Sequence, residues 1–411
     1  MGKIRIKKEY FFVFGLLFLA AMNFQAKFFY FIYAAFIVLL LSKLRLKVNR
    51  ASIPYILFGV LMGIYNIDEG LLSVFRCLTY VLSFIIGSNM ILSTSSNRIG
   101  DEDNFEHQTK IGHKILTVIC WGSFVHFMLN FFYNLQWTLG RNTNDIWTGE
   151  RLSATIQASL ACMMTGLCIS MIISPKNKFS RVLYIISAVG ILMYNLVLSG
   201  RTLPLMMIVV LIIGLVYFYK NSENLSHKLK TTLIIASILG LITLAIIFNV
   251  GGIKDYILES NFFDRLFNSK QDALLSGERS YRKIMFLQNM WKYPFGGLHM
   301  RAQFGYAHDL LLDAYDEYGF LSIIFLLLIL GFGIYNLIVF CKNKDISISC
   351  RLSFLCVYIT ILCEFYIEPI LEGLPWLFVC YCLLNGCIYG LNSAYLEKSH
   401  NRGVACEDIA N

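Results

Sequence analysis

The apolar run Gly319–Phe340, GFLSIIFLLLILGFGIYNLIVF, decides the broad class of this chain. It contains no charged side chain, and its length matches the hydrocarbon thickness of a bilayer, which a helix of about 20 apolar residues spans. The run therefore predicts a transmembrane helix. Twelve such runs are predicted in total. The number is approximate because the segment 10–42 fits two spans, a hairpin or one long span. The other predicted runs are 10–25, 28–42, 53–67, 71–93, 115–135, 156–173, 182–199, 202–219, 231–250, 350–370 and 374–392.

The composition agrees with a membrane protein. Of 411 residues, 57% are hydrophobic and only 15% are charged, whereas an ordinary soluble protein carries about 25% charged residues. Soluble multidomain, collagen-like and disordered chains are therefore excluded. The net charge of +9 would indicate nucleic-acid binding only on a soluble module with a basic face. We predict an all-α polytopic integral membrane protein without a nucleic-acid partner.

The distribution of lysine and arginine predicts the orientation. With the N-terminus in the cytoplasm, 22 of the 35 cations fall on the cytoplasmic side, as the positive-inside rule requires. An even number of spans then places both termini in the cytoplasm. The predicted organisation is about nine membrane helices in 1–250, a large external loop with a short amphipathic helix in 251–318, further membrane helices in 319–392 and a cytoplasmic tail in 393–411.

The loop 251–307 is the longest segment without a hydrophobic run. It carries eight cations and five acids, and long loops are translocated largely regardless of their charge. One interpretation is a solvated cap over the membrane helices. The other is a binding site for an anion at the outer face of the membrane.

His308 follows this basic loop directly. If the helix before Gly319 includes it, His308 shares a face with apolar residues and a separate stripe is acidic. A histidine in that setting is often a satisfied core residue, but at a membrane boundary it also suits a general base near neutral pH. The stripe comprises Asp309, Asp313, Asp316 and Glu317, and the apolar face comprises Leu311, Leu312 and Tyr315.

Two further groups of charges lie at the ends of predicted spans. Arg201 is the sole charge in the short turn Ser199–Thr202. One interpretation is that Arg201 snorkels to lipid head groups. The other is that it binds a phosphate group of a ligand, since guanidinium binds phosphate in a bidentate manner. Glu364, Glu368 and Glu372 are spaced to face one way, an arrangement that would suit a proton relay in a transporter.

Four stretches in this order resemble the bacterial O-antigen polymerase and O-antigen ligase superfamily. Arg279 and Pro294 reproduce the family spacing between an arginine and a Pro-hydrophobic-Gly turn. Two positions depart from the pattern: Asp follows His308 where Asn is usual, and the turn reads Gly-Gly rather than Gly-x-Gly. The stretches are Ser199-Gly200-Arg201-Thr202, Gly277-Glu278-Arg279, Trp291-Lys292-Tyr293-Pro294-Phe295-Gly296-Gly297, and His308-Asp309 with Glu317-Tyr318-Gly319.

The resemblance implies a GT-C-like glycosyltransferase that needs no metal or cofactor. Members transfer a glycan from undecaprenyl diphosphate to a sugar hydroxyl at the outer face of the membrane. Arg201 and Arg279 would then clamp the diphosphate, Arg282 would be a secondary phosphate contact, and His308 would be the base. Aromatic residues of the loop would be sugar-stacking platforms or interfacial anchors. They are Tyr281, Trp291 and Tyr306.

The expected function is polymerisation of lipid-linked oligosaccharide repeat units, for O-antigen, capsule or exopolysaccharide, at the bacterial inner membrane. The nearest alternative is an O-antigen ligase, which passes finished polymer to lipid A-core by the same chemistry. A lipid-linked sugar transporter is a third, disfavoured because the polar residues concentrate in one late loop rather than in paired repeats. Expected partners are the undecaprenyl-diphosphate-linked oligosaccharide, membrane lipids, a chain-length regulator and a flippase.

Overall fold

A computed structural model gives the fold of residues 8–42, 46–93, 101–135, 142–198, 200–252, 254–255 and 277–410. Helices account for nearly all of this part of the chain. The N-terminal helices are α1 (Lys8–Ala21), α2 (Phe28–Leu41), α3 (Ile53–Tyr65), α4 (Leu71–Leu92), α5 (Asp101–Asn134), α6 (Ala154–Ile173), α7 (Lys178–Val197), α8 (Thr202–Asn221) and α9 (Leu225–Ile247). The C-terminal helices are α10 (Glu278–Asn289), α11 (His299–Phe304), α12 (Leu310–Tyr318), α13 (Phe320–Lys342), α14 (Ile348–Ile367), α15 (Ile370–Gly373) and α16 (Pro375–Ala410).

Within the described residues, eight helices are long and apolar enough to cross a membrane. By helix length and hydropathy the chain is therefore an all-α, multi-pass membrane protein, as predicted. The predicted run at 231–250 lies largely in α9, and the number twelve stays a prediction. Residues from 393 onward continue α16 as far as Ala410. The eight are α4, α5 from Asn104, α6, α7, α8, α13, α14 and α16 to Ser399, and three shorter apolar helices are Tyr10–Ala21, Phe28–Leu41 and Arg50–Tyr65.

One small hairpin, which the sequence did not predict, interrupts the helices of the described chain. β1 (Asn142–Asn144) pairs antiparallel with β2 (Arg151–Ser153). The Asp145 carboxylate closes the hairpin by accepting a hydrogen bond from the backbone N–H of Trp147 at 2.8 Å. It also lies 2.8 Å from Nε2 of His126. These contacts fix the hairpin to α5 just before α6 begins.

Helices α6 and α14 pack antiparallel. Near the start of α6, Ser159 Oγ donates to Glu364 Oε2 at 2.6 Å. Further along, Ser170 Oγ donates to Ser353 Oγ at 3.1 Å. Between these pairs, Gly166 lies directly against the α14 backbone, with no room for a Cβ. Small residues at helix crossings allow this close approach in membranes, and the contact holds the start of α6 beside the end of α14.

Glycines also determine the spacing of α4 and α16. A Cβ on Gly87 would overlap the carbonyl oxygen of Leu383, and a Cβ on Gly386 would overlap the carbonyl oxygen of Phe84. Neither backbone can withdraw without opening the buried core on both sides. The two glycines are therefore required for this crossing.

We expect Gly87→Ala to lower the free energy of unfolding by about 1–3 kcal/mol, because an added methyl group overpacks the crossing. Thermal unfolding of the purified protein in detergent measures this effect. Gly331→Ala in α13 is the matched control, since nothing lies within 4 Å of the position that its Cβ would take. A Gly87→Ala variant with the Tm of the wild type would contradict the prediction.

Residues 277–318 form a layer of short helices with an apolar core of its own. Phe286 of α10 and Met300 of α11 are buried against Leu312 and Tyr315 of α12. Ala307, between α11 and α12, completes this cluster. Because the helices pack on one another, the described end of the predicted external loop holds its side chains in defined positions.

This layer of short helices docks where α12 ends and α13 begins. Gly296 and Gly319 have positive φ angles of 77° and 74°. A Cβ on Gly296 would lie 2.7 Å from the Glu317 carbonyl oxygen, and a Cβ on Gly319 would lie 2.7 Å from that of Pro294. The backbone N–H of Phe320 donates to the Pro294 carbonyl at 2.9 Å. Two of the stretches that carry the family resemblance thus face each other here.

Candidate functional site

One side of α10 carries three cations beside a buried anchor. Arg279, Arg282, Lys283 and Phe286 recur at the spacing of one helix face. Phe286 is fully buried in the core of the layer. The anchor fixes the rotation of α10, and two of the cations reach the C-terminal end of α14.

Arg279 binds the end of α14. Its Nη1 donates to the Ile367 carbonyl at 3.1 Å, and its Nη2 donates to Glu368 Oε1 at 3.3 Å. The last carbonyls of a helix have no intrahelical partner and favour cations, and Pro369 follows directly. Burial raises the pKa of Glu368, and Arg279 opposes that rise. The Arg279 side chain is 41% exposed, so it remains accessible to a ligand.

Lys283 joins three elements of the site. Its Nζ donates to Asp309 Oδ2 at 3.2 Å and to the Tyr366 carbonyl at 2.6 Å. It also lies 3.4 Å from the centre of the Tyr366 ring, a cation–π contact. Burial lowers the pKa of Lys283, while Asp309 acts in the opposite direction. Lys283 therefore fastens α10 to both α12 and α14.

The backbone at His308 is held in an unusual conformation. His308 has a φ of 55°, in the left-handed region that costs energy for a residue with a Cβ. The backbone N–H groups on either side of it, from Ala307 and Asp309, each donate to Asp313 at 2.9 Å. Asp313 thus clamps the chain around His308. The sequence had suggested a helical position for His308, but α12 begins after its cap, Asp309.

The imidazole of His308 lies beside Glu368. Its Nδ1 is 4.0 Å from Glu368 Oε2, and the side chain is 22% exposed. Burial, together with the neighbouring cations Arg279, Arg282 and Lys283, lowers the pKa of His308 to about 3. The ring is therefore neutral at neutral pH, which is the form that accepts a proton.

We expect Asp313→Asn to loosen the segment around His308. The amide has the size of the carboxylate, but it presents an NH₂ group to one of the two backbone N–H groups and leaves that donor unsatisfied. A buried unsatisfied donor costs about 1–3 kcal/mol, so hydrogen exchange in 299–309 should accelerate about tenfold or more. Asp345→Asn, at the opposite end of the chain's helices, is the control. Unchanged exchange in Asp313→Asn would show that the clamp is dispensable.

Arg201 is half-buried at the start of α8, and Ser199 lies outside the described residues. Helix α8 packs on both α6 and α14, and Gly214 of α8 lies against Cys356 of α14. The α6–α7–α8 sequence of antiparallel neighbours makes α8 run parallel to α6 and therefore antiparallel to α14. This register places Arg201 at the same end as Glu368.

The functional interpretation of this site rests on its own chemistry. No protein-family model and no curated protein matches this chain. The resemblance to O-antigen polymerases and ligases consequently depends on the four short stretches quoted above. Their residues meet around Glu368 at Arg279 and His308, and they meet again at the glycine contact that docks the layer.

Of the other predicted site residues, two lie near His308 and two are exposed on the surface of the layer. Arg282 pairs with Glu278 and lies against Gly305, close to His308 in the same layer. The Tyr306 ring lies 6.2 Å from the His308 ring, and its hydroxyl donates to Glu372. Burial raises the pKa of Tyr306 to about 12. Tyr281 and Trp291 are 55% and 75% exposed, and Trp291 packs on Phe320 at the start of a membrane helix, a position typical of an interfacial anchor.

The sequence does not indicate that Glu368 contacts Arg279 and His308. Helical spacing predicts that Glu364, Glu368 and Glu372 share one helix face, but α14 ends at Ile367. Glu372 therefore lies on α15, where it pairs with Arg301 rather than facing Glu368. The Pro369 that follows Glu368 was the signal for this break, because proline cannot continue a helix.

The described residues contain no group of three or more His, Cys, Asp or Glu side chains placed to hold a metal ion. The site brings together the accessible guanidinium of Arg279, the neutral imidazole of His308 and the buried carboxylate of Glu368. Guanidinium binds phosphate oxygens, and the neutral form of imidazole is the form that can accept a proton. The arrangement is suited to a reaction that binds an anionic leaving group and deprotonates a hydroxyl.

Proposed function

We propose that the protein is a glycosyltransferase that polymerises lipid-linked oligosaccharide repeat units at the outer face of the bacterial inner membrane. The observation that carries the proposal is the meeting of Arg279 and His308 at Glu368, where a layer of short helices contacts the ends of membrane helices. The donor is an undecaprenyl-diphosphate-linked oligosaccharide, and the acceptor is a sugar hydroxyl of a second repeat unit.

In this proposal the arginines bind the diphosphate leaving group and compensate its charge. Diphosphate departs readily once its charge is compensated, and preorganised donors in a site of low dielectric stabilise that charge strongly. Arg279 contacts the diphosphate with its exposed N–H groups, and Arg201 approaches it from α8. Arg282 provides a secondary phosphate contact. Protein side chains alone supply the required charge.

His308 serves the acceptor. A general base must be unprotonated before it removes the hydroxyl proton, and burial beside three cations keeps the imidazole of His308 neutral. The Asp313 clamp fixes the backbone around His308, and the ring lies beside Glu368. Tyr306, whose ring neighbours that of His308, provides a surface for the acceptor sugar, and the exposed rings of Tyr281 and Trp291 extend it.

An apolar cavity near Arg201 suits the lipid part of the donor. The cavity has a volume of about 290 Å³ and lies mainly between α7 and α8. Pro204, Met207 and Leu211 line it on α8, in the turns that directly follow Arg201. A lipid that placed its diphosphate at Arg201 would therefore find apolar surface for the adjoining isoprene units.

Reconstitution tests the proposal. The purified protein in proteoliposomes receives an undecaprenyl-diphosphate-linked oligosaccharide, and mass spectrometry follows glycan length and the release of undecaprenyl diphosphate. A polymerase lengthens the glycan on its lipid and releases one carrier for each new linkage. Transfer only to added lipid A-core would indicate the ligase alternative. Movement of the intact donor between leaflets without a new glycosidic bond would refute a glycosyltransferase.

A further inference from the structure

We propose that Glu368 is a positioning residue for the base, and that the donor diphosphate releases Glu368 to His308 by engaging Arg279. This inference rests on the proposed function. The Glu368 carboxylate lies between the two groups: Oε1 is 3.3 Å from Arg279 Nη2, and Oε2 is 4.0 Å from His308 Nδ1. Its side chain is only 3% exposed, so water does not replace these partners.

Without donor, the Glu368 carboxylate pairs with Arg279 rather than with His308. The distance of 4.0 Å to His308 exceeds that of a hydrogen bond, and Nδ1 of His308 is buried without a hydrogen-bond partner among the described residues. A buried polar nitrogen without a partner is costly. A turn of the Glu368 carboxylate toward the ring would give this nitrogen a hydrogen-bond partner. The Thr155 hydroxyl, at the start of α6, also acts to lower the pKa of Glu368.

Donor binding changes this balance. The diphosphate and the carboxylate are both oxyanions that pair with guanidinium, and the diphosphate carries the larger charge. When Arg279 turns to the diphosphate, Glu368 loses its cation and accepts a hydrogen bond from Nδ1–H of His308. Glu368 then orients His308, as the third group of a catalytic triad orients its base. The base becomes competent only when the donor is in place.

The chemical step balances with these groups. The acceptor hydroxyl gives its proton to Nε2 of His308, while its oxygen forms the new bond to the anomeric carbon of the donor. The bond from that carbon to the diphosphate breaks, and its electron pair leaves with undecaprenyl diphosphate. Glu368 stabilises the imidazolium that forms, and the proton passes to water after the carrier departs.

Glu368→Gln tests this role in the reconstituted full-length protein with the lipid-linked oligosaccharide as donor. The amide keeps the size of the side chain and an acceptor for Arg279 but removes the charge. We expect kcat to fall at least tenfold, while the KM for donor stays equal or falls because Arg279 is less engaged. Glu278→Gln is the matched control, an exposed glutamate paired with an arginine of α10. An unchanged kcat, or a raised donor KM alone, would overturn the inference.

The pH profile separates positioning from a structural role. We expect the acidic limb of kcat in Glu368→Gln to lie at least one pH unit below that of the wild type, because the imidazolium has lost its carboxylate. Equal limbs would overturn the inference. The groups that face His308 are Arg279, Arg282 and Lys283 of α10, Glu368 at the end of α14, Tyr306 and Asp309 of its own segment, and Asp313 of α12.

A second variant covers the case in which Glu368→Gln does not fold. Glu368→Asp keeps the charge on a shorter side chain, so we expect an intermediate kcat and an acidic limb close to that of the wild type. A kcat equal to that of the wild type would contradict the requirement that the carboxylate reach Nδ1 of His308. If the wild type forms no glycosidic bond, the proposed function fails. If the wild type polymerises and both variants match it, only the role of Glu368 fails.

Discussion

Replacing His308 with asparagine is expected to lower kcat by about 100- to 10,000-fold, the range that a general base contributes. Asparagine is a better substitution than alanine because it tolerates the left-handed conformation. His308 has a φ of 55°, which lies in this region. The Asp313 clamp, which binds the neighbouring N–H groups, therefore survives the substitution. The reconstituted polymerisation assay measures the loss, and thermal unfolding checks that the variant is folded.

His299→Asn is the control for His308→Asn. His299 lies in the same layer and stacks on Tyr293, with ring centres 4.6 Å apart, but it has no place in the proposed chemistry. We expect its kcat to stay within about threefold of the wild type, as for surface changes that leave stability nearly intact. Polymer of normal length and rate from His308→Asn would eliminate the assigned base. Equal losses in both variants would point to damage of the layer instead.

Eight of the predicted apolar runs correspond to helices of the described chain that are long enough to cross a membrane. These runs were readable because a bilayer imposes one length and one polarity on every crossing helix. The run Gly319–Phe340 became α13 almost residue for residue. The packing of these helices was not readable, since lipid-facing and buried positions are both apolar. Gly87 and Gly331 both lie within apolar helices, yet one is locked against a backbone and the other meets nothing within 4 Å.

The candidate site was predictable in its charges but not in its contacts. Arg279 and His308 stood out because charged or titratable side chains at a membrane boundary are informative. Their shared partner Glu368 directly follows a helix that begins 40 residues after His308, and no local pattern predicts such a long-range contact. Helical periodicity gave the wrong position for His308, because two hydrogen bonds to Asp313 outweigh the helix propensity of the segment.

Arg279→Lys is expected to lower kcat/KM for the donor by about 100-fold, although the charge is conserved. Arg279 contacts the Ile367 carbonyl and Glu368 through two different nitrogens, so one nitrogen can turn to the diphosphate while the other still holds the end of α14. A lysine ammonium is a single point charge on a flexible stem and does not reproduce this fork. Loss of one preorganised donor in such sites costs about 100- to 1,000-fold. Donor titrations of the reconstituted protein measure the effect.

Arg282→Lys provides the comparison for Arg279→Lys on the same helix face. Arg282 pairs with the exposed Glu278, and exposed ion pairs contribute little, so we expect a loss below about tenfold. If Arg279→Lys instead retains the activity of the wild type, Arg279 attracts the donor by charge alone. Raising the ionic strength would then weaken donor binding equally in both proteins, because screening acts on charge and not on geometry. If the fork is required, Arg279→Lys remains defective at every salt concentration.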